Sequence, residues 1–309
     1  MAGEYNATLV GRIEIAPGLV TLRVAPDDLP FAFKPGQYAV LGLRANEPRI
    51  EEADSDGPGL VVEESSDGSS DSRAAVRAQA AAASLAVADP GRMIRRAFCI
   101  ASESRADQYL EFYVNLILSG ELTPRLFNLK AGDRLYASQK AEGYFTLDGT
   151  SAKHVLMIAT GTGLAPYVSM IRHELGLRVD GHLGVRAVWQ CNGGRHFIVV
   201  HGARHSWDLG FRNELSGLAR HCANFHYLPV VTRPQEDATW QGRSGYLQDL
   251  IGSGAVEKET GLTLAPEDFE LFLCGNPGMI DSVTSWAERR GFSRDFGHGI
   301  GNLHVEKFW

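Results

Sequence analysis

The rhythm of apolar and polar positions changes near the middle of this 309-residue chain. In the first half, short β-like runs at residues 7–15, 20–24, 38–43, 97–101, 110–116 and 134–137 are separated by turn-forming stretches such as Phe33-Lys-Pro-Gly-Gln-Tyr38 and Leu129-Lys-Ala-Gly-Asp133. Many short strands at this spacing predict an antiparallel β-barrel. From Lys153 onward, apolar strands at 155–159, 197–201, 225–231 and 269–274 alternate with helical stretches. That order predicts a Rossmann-like α/β unit, a parallel sheet joined by right-handed crossovers. The expectation is a two-domain chain, with a barrel over 1–150 and an α/β domain over 151–309.

Two insertions interrupt this plan. Residues 44–92 begin acidic and Ser/Gly-rich and then become an alanine run at 73–88 that predicts one helix capped from Asp71 or Ser72. Its expected form is a solvated surface loop with that fragment of helix. A milder insertion lies at 176–196. The net charge of -7 is uneven, because residues 47–71 hold nine acids and one base and leave the remainder close to neutral. Global charge therefore says little about the folded surface, and no nucleic-acid partner is expected. The four cysteines, Cys99, Cys191, Cys222 and Cys274, form no C-x-x-C pair, so no metal site or cysteine-held cluster is encoded locally. A reducing, cytoplasmic setting fits them, and Cys191 and Cys222 read as structural. The N-terminus lacks a secretion signal and no run is long enough to cross a membrane, so membrane insertion is not expected.

The chemistry concentrates in a few motifs. His154 to Pro166 runs from an apolar strand through Thr160-Gly-Thr-Gly163 into a helix start, where Gly161 and Gly163 permit close backbone approach and helix N–H groups face an anion. The spacing is not G-x-G-x-x-G, since Ala165-Pro166 stand where the third glycine would come. In the first half, Arg95-Arg-Ala-Phe-Cys-Ile100 places a cation (Arg96), an aromatic face (Phe98) and a small polar atom (Cys99) along one ligand. Leu122 and Thr123 open a predicted helix at 123–129 and form a second anion site. Arg204, Arg233 and Arg243 follow strand ends in the second half, where guanidinium groups are expected to converge on one dianionic phosphate; this favours NADP over NAD.

At Arg96-Ala-Phe-Cys99 and Gly120-Glu-Leu-Thr123 the chain resembles the ferredoxin–NADP reductase family, bacterial branch, whose flavin motif is Arg-x-Tyr-Ser/Thr and whose pyrophosphate motif is Gly-x-x-Ser/Thr. Phe98 and Cys99 depart from the usual tyrosine and hydroxyl residue. The likeness continues in Ala141-Glu-Gly-Tyr-Phe-Thr-Leu147, Thr160-Gly-Thr-Gly163, Cys274-Gly-Asn-Pro-Gly-Met279 and the aromatic terminus. The resemblance implies that FAD is held by Arg96, Ala97, Phe98, Cys99, Val114, Asn115, Leu116, Glu121, Leu122 and Thr123, with Thr162 and Phe308 against the flavin and Trp309 near the adenine of FAD. It implies NADP(H) contacts from Gly161, Thr162, Gly163, Ala203, Arg204, Thr232, Arg233, Arg243, Gly275, Asn276 and Pro277. Cys99, Cys274, Glu306 and Phe308 are then the residues beside the reacting rings, with Phe308-Trp309 as an aromatic lid. The implied activity is hydride exchange with NADP(H) and single-electron exchange with ferredoxin or flavodoxin, in a monomer or weak dimer. The alternatives are another reductase of the superfamily, acting on an oxygenase, a cytochrome or a flavin, and a flavin-binding electron-transfer or regulatory subunit without its own turnover.

Overall fold

The computed structural model describes residues 5–50, 89, 91–104, 108–176, 191, 194–296 and 300–307. The predicted helix at 73–88 and the aromatic pair Phe308-Trp309 lie outside the described residues, as does most of the 176–196 insertion. The chain divides into two compact units: Met1–Phe33, Tyr38–Ile100 and Ala106–Glu142 form the first, and Lys34–Gln37, Ala101–Arg105 and Gly143–Trp309 the second.

The first unit is an antiparallel sheet of β1 (Ala7–Ala16), β2 (Leu19–Pro26), β3 (Tyr38–Arg44), β4 (Met93–Cys99), β5 (Leu110–Asn115) and β6 (Arg134–Ala137), in the order β4-β3-β6-β1-β2-β5. A two-residue loop joins Ala16 to Leu19, and Gly18 takes the φ of 78° that this tight turn demands. The sheet curls until the two edge strands meet at a single antiparallel bridge, Ile100 with Phe112, so it is barrel-like without being fully closed. Alternate residues such as Leu9, Leu22, Leu41, Ile94 and Phe112 fill the interior. The four-residue helix α1 (Thr123–Leu126) packs Leu126 into that core. It is shorter than the predicted 123–129, since Phe127 and Leu129 turn in to the core without continuing the helix. β4 also begins four residues earlier than predicted, because Arg95 and Arg96 stay exposed while the backbone still pairs with β3.

The second unit is a six-stranded parallel sheet of β7 (His154–Thr160), β8 (His196–Ala203), β9 (Phe225–Val231), β10 (Arg243–Ser244), β11 (Phe269–Gly275) and β12 (Leu303–Lys307), in the order β10-β9-β8-β7-β11-β12. Its helices are α2 (Ala165–Leu175), α3 (Arg212–His221), α4 (Leu247–Gly252), α5 (Ala255–Thr260) and α6 (Pro277–Arg289). Two cores lie on opposite faces, one around Leu156, Ile198 and Leu271, the other around Met157, Val199 and Phe272. Burial on both faces is why these strands read as continuous apolar runs. Phe272 is gripped edge-on by Phe145 at 5.2 Å and face-on by His304 at 4.3 Å. Segments 34–37 and 101–104 belong to this unit, the second through contacts such as Ser169 Oγ donating to the Ser102 carbonyl at 2.7 Å and Arg172 Nη1 donating to the Ala101 carbonyl at 3.0 Å.

Cys191 and Cys222 form a disulfide with Cα atoms 5.2 Å apart. The sequence reading placed all four cysteines in a reducing setting; two residues 31 positions apart meet only because the fold brings them together. Cys99 and Cys274 are buried and stand outside any disulfide. No helix among the described residues is long and apolar enough to cross a membrane.

Candidate functional site

In the parallel sheet the chain enters at β7 and fills one side with β8, β9 and β10 before crossing to β11 and β12. The order therefore reverses between β7 and β11, and in open α/β sheets the carboxyl ends of the strands at such a reversal leave a crevice for a ligand. Both predicted glycine turns lie there. After β7 the chain makes a 3-10 turn, Gly161–Leu164, and then enters α2 with Pro166 in its first turn. Neither the turn nor α2 has a side-chain cap, which leaves the N-terminal end to an outside anion. Gly161 has φ +53° with open space where a Cβ would stand. Gly163 is different, since a Cβ there would meet the Cys274 carbonyl oxygen at 2.5 Å. One glycine supplies the left-handed bend and the other lets the turn press onto the end of β11.

The end of β11 is fixed in turn. Gly275 has φ +130°. Asn276 N donates to Thr160 Oγ1 at 2.7 Å, and the Asn276 side chain caps α6 by accepting from Gly278 N and Met279 N. Cys274 is fully buried opposite Ala159 on β7 and Glu306 on β12. Burial, with Glu306 adding to it, pushes its thiol well above the ordinary range, so the sulfur stays protonated and contributes shape and not nucleophilicity. His201, fully buried on β8 beside Ala159, lies against the Tyr227 hydroxyl at 3.1 Å. Burial holds its imidazole down at about 3, so a neutral ring supports the glycine turn from below.

Beyond β8 and β9 the ladder continues. Thr232 N donates to the Ala203 carbonyl at 3.0 Å and Arg233 N to the Arg204 carbonyl at 2.9 Å, so the two predicted arginines stand on neighbouring strand ends. Glu236 Oε1 lies 3.7 Å from Arg233 Nη1, and Arg233 and Arg204 both act on Glu236 at the level of charge. Arg243 lies on the next strand: on β10 it pairs with Val230, and its Nη2 is 2.6 Å from Glu259 Oε2. All three predicted arginines thus lie on or just beyond the ends of adjoining strands, Arg204 and Arg233 joined by a backbone hydrogen bond.

The barrel unit carries its own cluster of charged side chains. Arg96 is exposed and lies 3.7 Å from Glu121, which also pairs with Arg92. These arginines hold the Glu121 carboxyl below the usual range, the Arg92 hydrogen bond foremost. Leu122 begins α1 without a side-chain cap, while the Thr123 hydroxyl is committed inward, accepting from Ile117 N at 2.9 Å. Ala97 is exposed, Phe98 half-buried against the barrel core and Cys99 buried, so Arg96 and Cys99 do not share one face. Of the remaining predicted residues, Val114 and Leu116 are core, with Asn115 half-exposed between them. Arg92, His205 and Glu236 were missed by sequence reasoning, as was the bond that ties Thr160 to Asn276. Arg92 sits at the edge of the acidic insertion, and the other contacts join residues distant in sequence. Among the described residues no cluster suits a metal ion.

Residues 157–285 match the family model described as an oxidoreductase NAD-binding domain. The chain is 33% identical over 202 residues to the ferredoxin–NADP reductase of Azotobacter vinelandii, covering 62% of this chain and 70% of that protein. It is 32% identical over 192 residues to the flavodoxin/ferredoxin–NADP reductase of Escherichia coli (strain K12), with the same shares covered. Among solved structures, a ferredoxin NADP+ reductase from Neisseria gonorrhoeae superposes with a TM-score of 0.68 at 20% identity, over 98% of both chains. The chain belongs to the ferredoxin–NADP reductase family.

Proposed function

Starting from that membership, we propose that the chain is an FAD-containing oxidoreductase that exchanges hydride with NADP(H) and single electrons with ferredoxin or flavodoxin. The observation that carries this reading is the sheet reversal, where Gly163 presses on the Cys274 carbonyl and Arg204 and Arg233 crown the adjoining strands. The residues fit the groups. An uncapped helix start beside two glycines suits a pyrophosphate, and two arginines on neighbouring strand ends suit the 2′-phosphate that separates NADP from NAD. In the barrel, Arg96 and Arg92 beside the uncapped start of α1 suit the FAD pyrophosphate, and Phe98 offers an aromatic face. When bound, the two cofactors supply the redox chemistry.

The protein's own work is then binding and orientation. Gly161 and Gly163 set the turn, Cys274 shapes the floor beside Glu306, and Asn276 and Pro277 start the helix that closes that edge. No acid–base pair is required of the chain. The test is to purify the protein with its flavin, record the absorption spectrum, and follow anaerobic reduction by NADPH and by NADH before adding ferredoxin or flavodoxin. Expected are a flavin spectrum, reduction by NADPH in strong preference to NADH, and transfer to one of the two acceptors. A protein that binds no FAD sinks the reading outright. Retained flavin without NADPH-driven reduction points to a subunit lacking turnover, and transfer only to a cytochrome or free flavin points to another reductase of the family.

A further inference from the structure

The two loops that carry Arg204 and Arg233 are locked together by a side chain that the family motifs leave without a part. His205 directly follows Arg204, and its ring is 5% exposed. Nδ1 lies 3.0 Å from Asp208 Oδ2, Nε2 lies 3.0 Å from Glu236 Oε2, and the ring stacks on Trp207 at 4.5 Å with 10° between planes. With both nitrogens engaged and one face covered, the imidazole has no freedom to turn. Its far partner, Glu236, is the carboxylate that faces Arg233 at 3.7 Å. A second set of bonds runs parallel to the first: Ser206 N donates to Asp237 Oδ2 at 2.8 Å, and Thr239 Oγ1 donates to Asp237 Oδ1 at 2.8 Å. Hydrogen bonds from Ser206 and Thr239 hold the Asp237 carboxyl down at about 2, so this second clasp stays charged through the neutral range.

An exposed carboxylate on a short loop would ordinarily wander, and an arginine paired with it would wander too. Here the loop Pro234–Glu236 is a single 3-10 turn with no side-chain cap of its own, so its anchorage comes from the His205 segment. We propose that His205 is a positioning residue for recognition of a phosphate monoester on the adenosine ribose: by fixing Glu236 and joining the two loops, it holds Arg204 and Arg233 ready for the dianion. This rests on the phosphate reading of Arg204 and Arg233 given above.

The full-length protein with its flavin is titrated calorimetrically with adenosine 2′,5′-bisphosphate and, separately, adenosine 5′-monophosphate. His205→Phe keeps the stack on Trp207 and removes both ring nitrogens. It is expected to weaken the bisphosphate about tenfold, the size of one charge-assisted hydrogen bond, while the monophosphate changes less than about twofold. His205→Gln, which retains a donor, is expected to recover part of the loss and carries the same test should the phenylalanine variant not fold. Equal weakening of both nucleotides would show a merely structural role and overturn the proposal. So would an unchanged bisphosphate affinity in a protein whose Arg233→Ala variant does lose it. If Arg233→Ala also leaves the bisphosphate unaffected, the phosphate reading itself fails, and the role of His205 with it.

Discussion

The two regions proposed to hold phosphates are built from different materials. In the parallel-sheet unit the turn at Gly161–Leu164 is made by backbone, with Gly161 supplying a left-handed φ, Gly163 standing where a side chain would meet other backbone, and a helix start without a cap. In the barrel unit the corresponding cluster is made by long side chains, Arg92 and Arg96 gathered on Glu121 beside a helix of only four residues. A backbone-built site is rigid because the sheet fixes it, and it tolerates little change. A side-chain-built site divides its binding among flexible groups, each of which is expendable in part.

The sharpest way to break this contrast is Gly163→Ala. Its Cβ would stand 2.5 Å from the Cys274 carbonyl oxygen and 2.9 Å from Gly275 N, and backbone atoms at the end of a central strand cannot step aside. The expected cost is about 3 kcal/mol in urea unfolding, with NADP(H) affinity lost at least about tenfold as the turn lifts off β11. Gly161→Ala meets open space, and only its φ of +53° is penalised. That variant is expected to cost about 1 kcal/mol. Equal costs for the two glycines would mean that the turn is not held by its contact with Cys274.

The second expectation concerns what lies beneath that turn. The His201 imidazole is held at about 3 against an ordinary value of 6.5. Above 6.5 neither the folded nor the unfolded chain binds this proton; between 6.5 and 3 only the unfolded chain does. Stability therefore falls as pH falls, by about 1.4 kcal/mol per pH unit from this one group. His201→Gln should flatten the slope between pH 6.5 and 5, a range in which carboxylates contribute little, when unfolding is followed by urea titration at each pH. An unchanged slope would place the acid sensitivity elsewhere.

The same contrast explains what could be read from the chain beforehand. The four main parallel strands were legible to within two residues at each end, because burial on both faces leaves an uninterrupted apolar run. The barrel strands were legible through their alternation and turns. The edge strands β10 and β12 were not: two residues carry no period, and Leu303–Lys307 alternates apolar with charged positions beside a chain end. Within the sites, glycines and strand-end arginines announce themselves because their reason is local. The bond from His205 to Glu236 spans 31 positions, as does the Cys191–Cys222 disulfide. Neither has a local signature, since each exists only once β8, α3 and β9 have set their flanking loops side by side.

In the barrel unit the expected losses are milder. Arg96→Ala leaves Arg92 and the start of α1 in place, so FAD should bind about tenfold more weakly, the contribution of a single charge-assisted contact. Riboflavin, which has no phosphate, should be unaffected, as read from the fluorescence of flavin released on dilution. A complete loss of FAD would show that this cluster is as indivisible as the glycine turn, and the contrast between the regions would collapse.

The smallest effect is expected at Arg243, and it sharpens where the phosphate site ends. The guanidinium is 2.6 Å from Glu259, whose side chain is half-exposed, and ion pairs of that kind contribute less than about 1 kcal/mol. Arg204 and Arg233, by contrast, share Glu236 and adjacent strand ends. Arg243→Ala is therefore expected to raise the Michaelis constant for NADPH less than about threefold, where Arg233→Ala raises it about tenfold or more. Both variants should leave the constant for NADH nearly unchanged. A loss at Arg243 as large as at Arg233 would mean that the arginine leaves Glu259 when the coenzyme binds, and that Glu259 competes with the phosphate for it. Glu259→Gln would then tighten NADPH binding in the wild-type background, whereas it should have no effect if Arg243 stays where the structure places it.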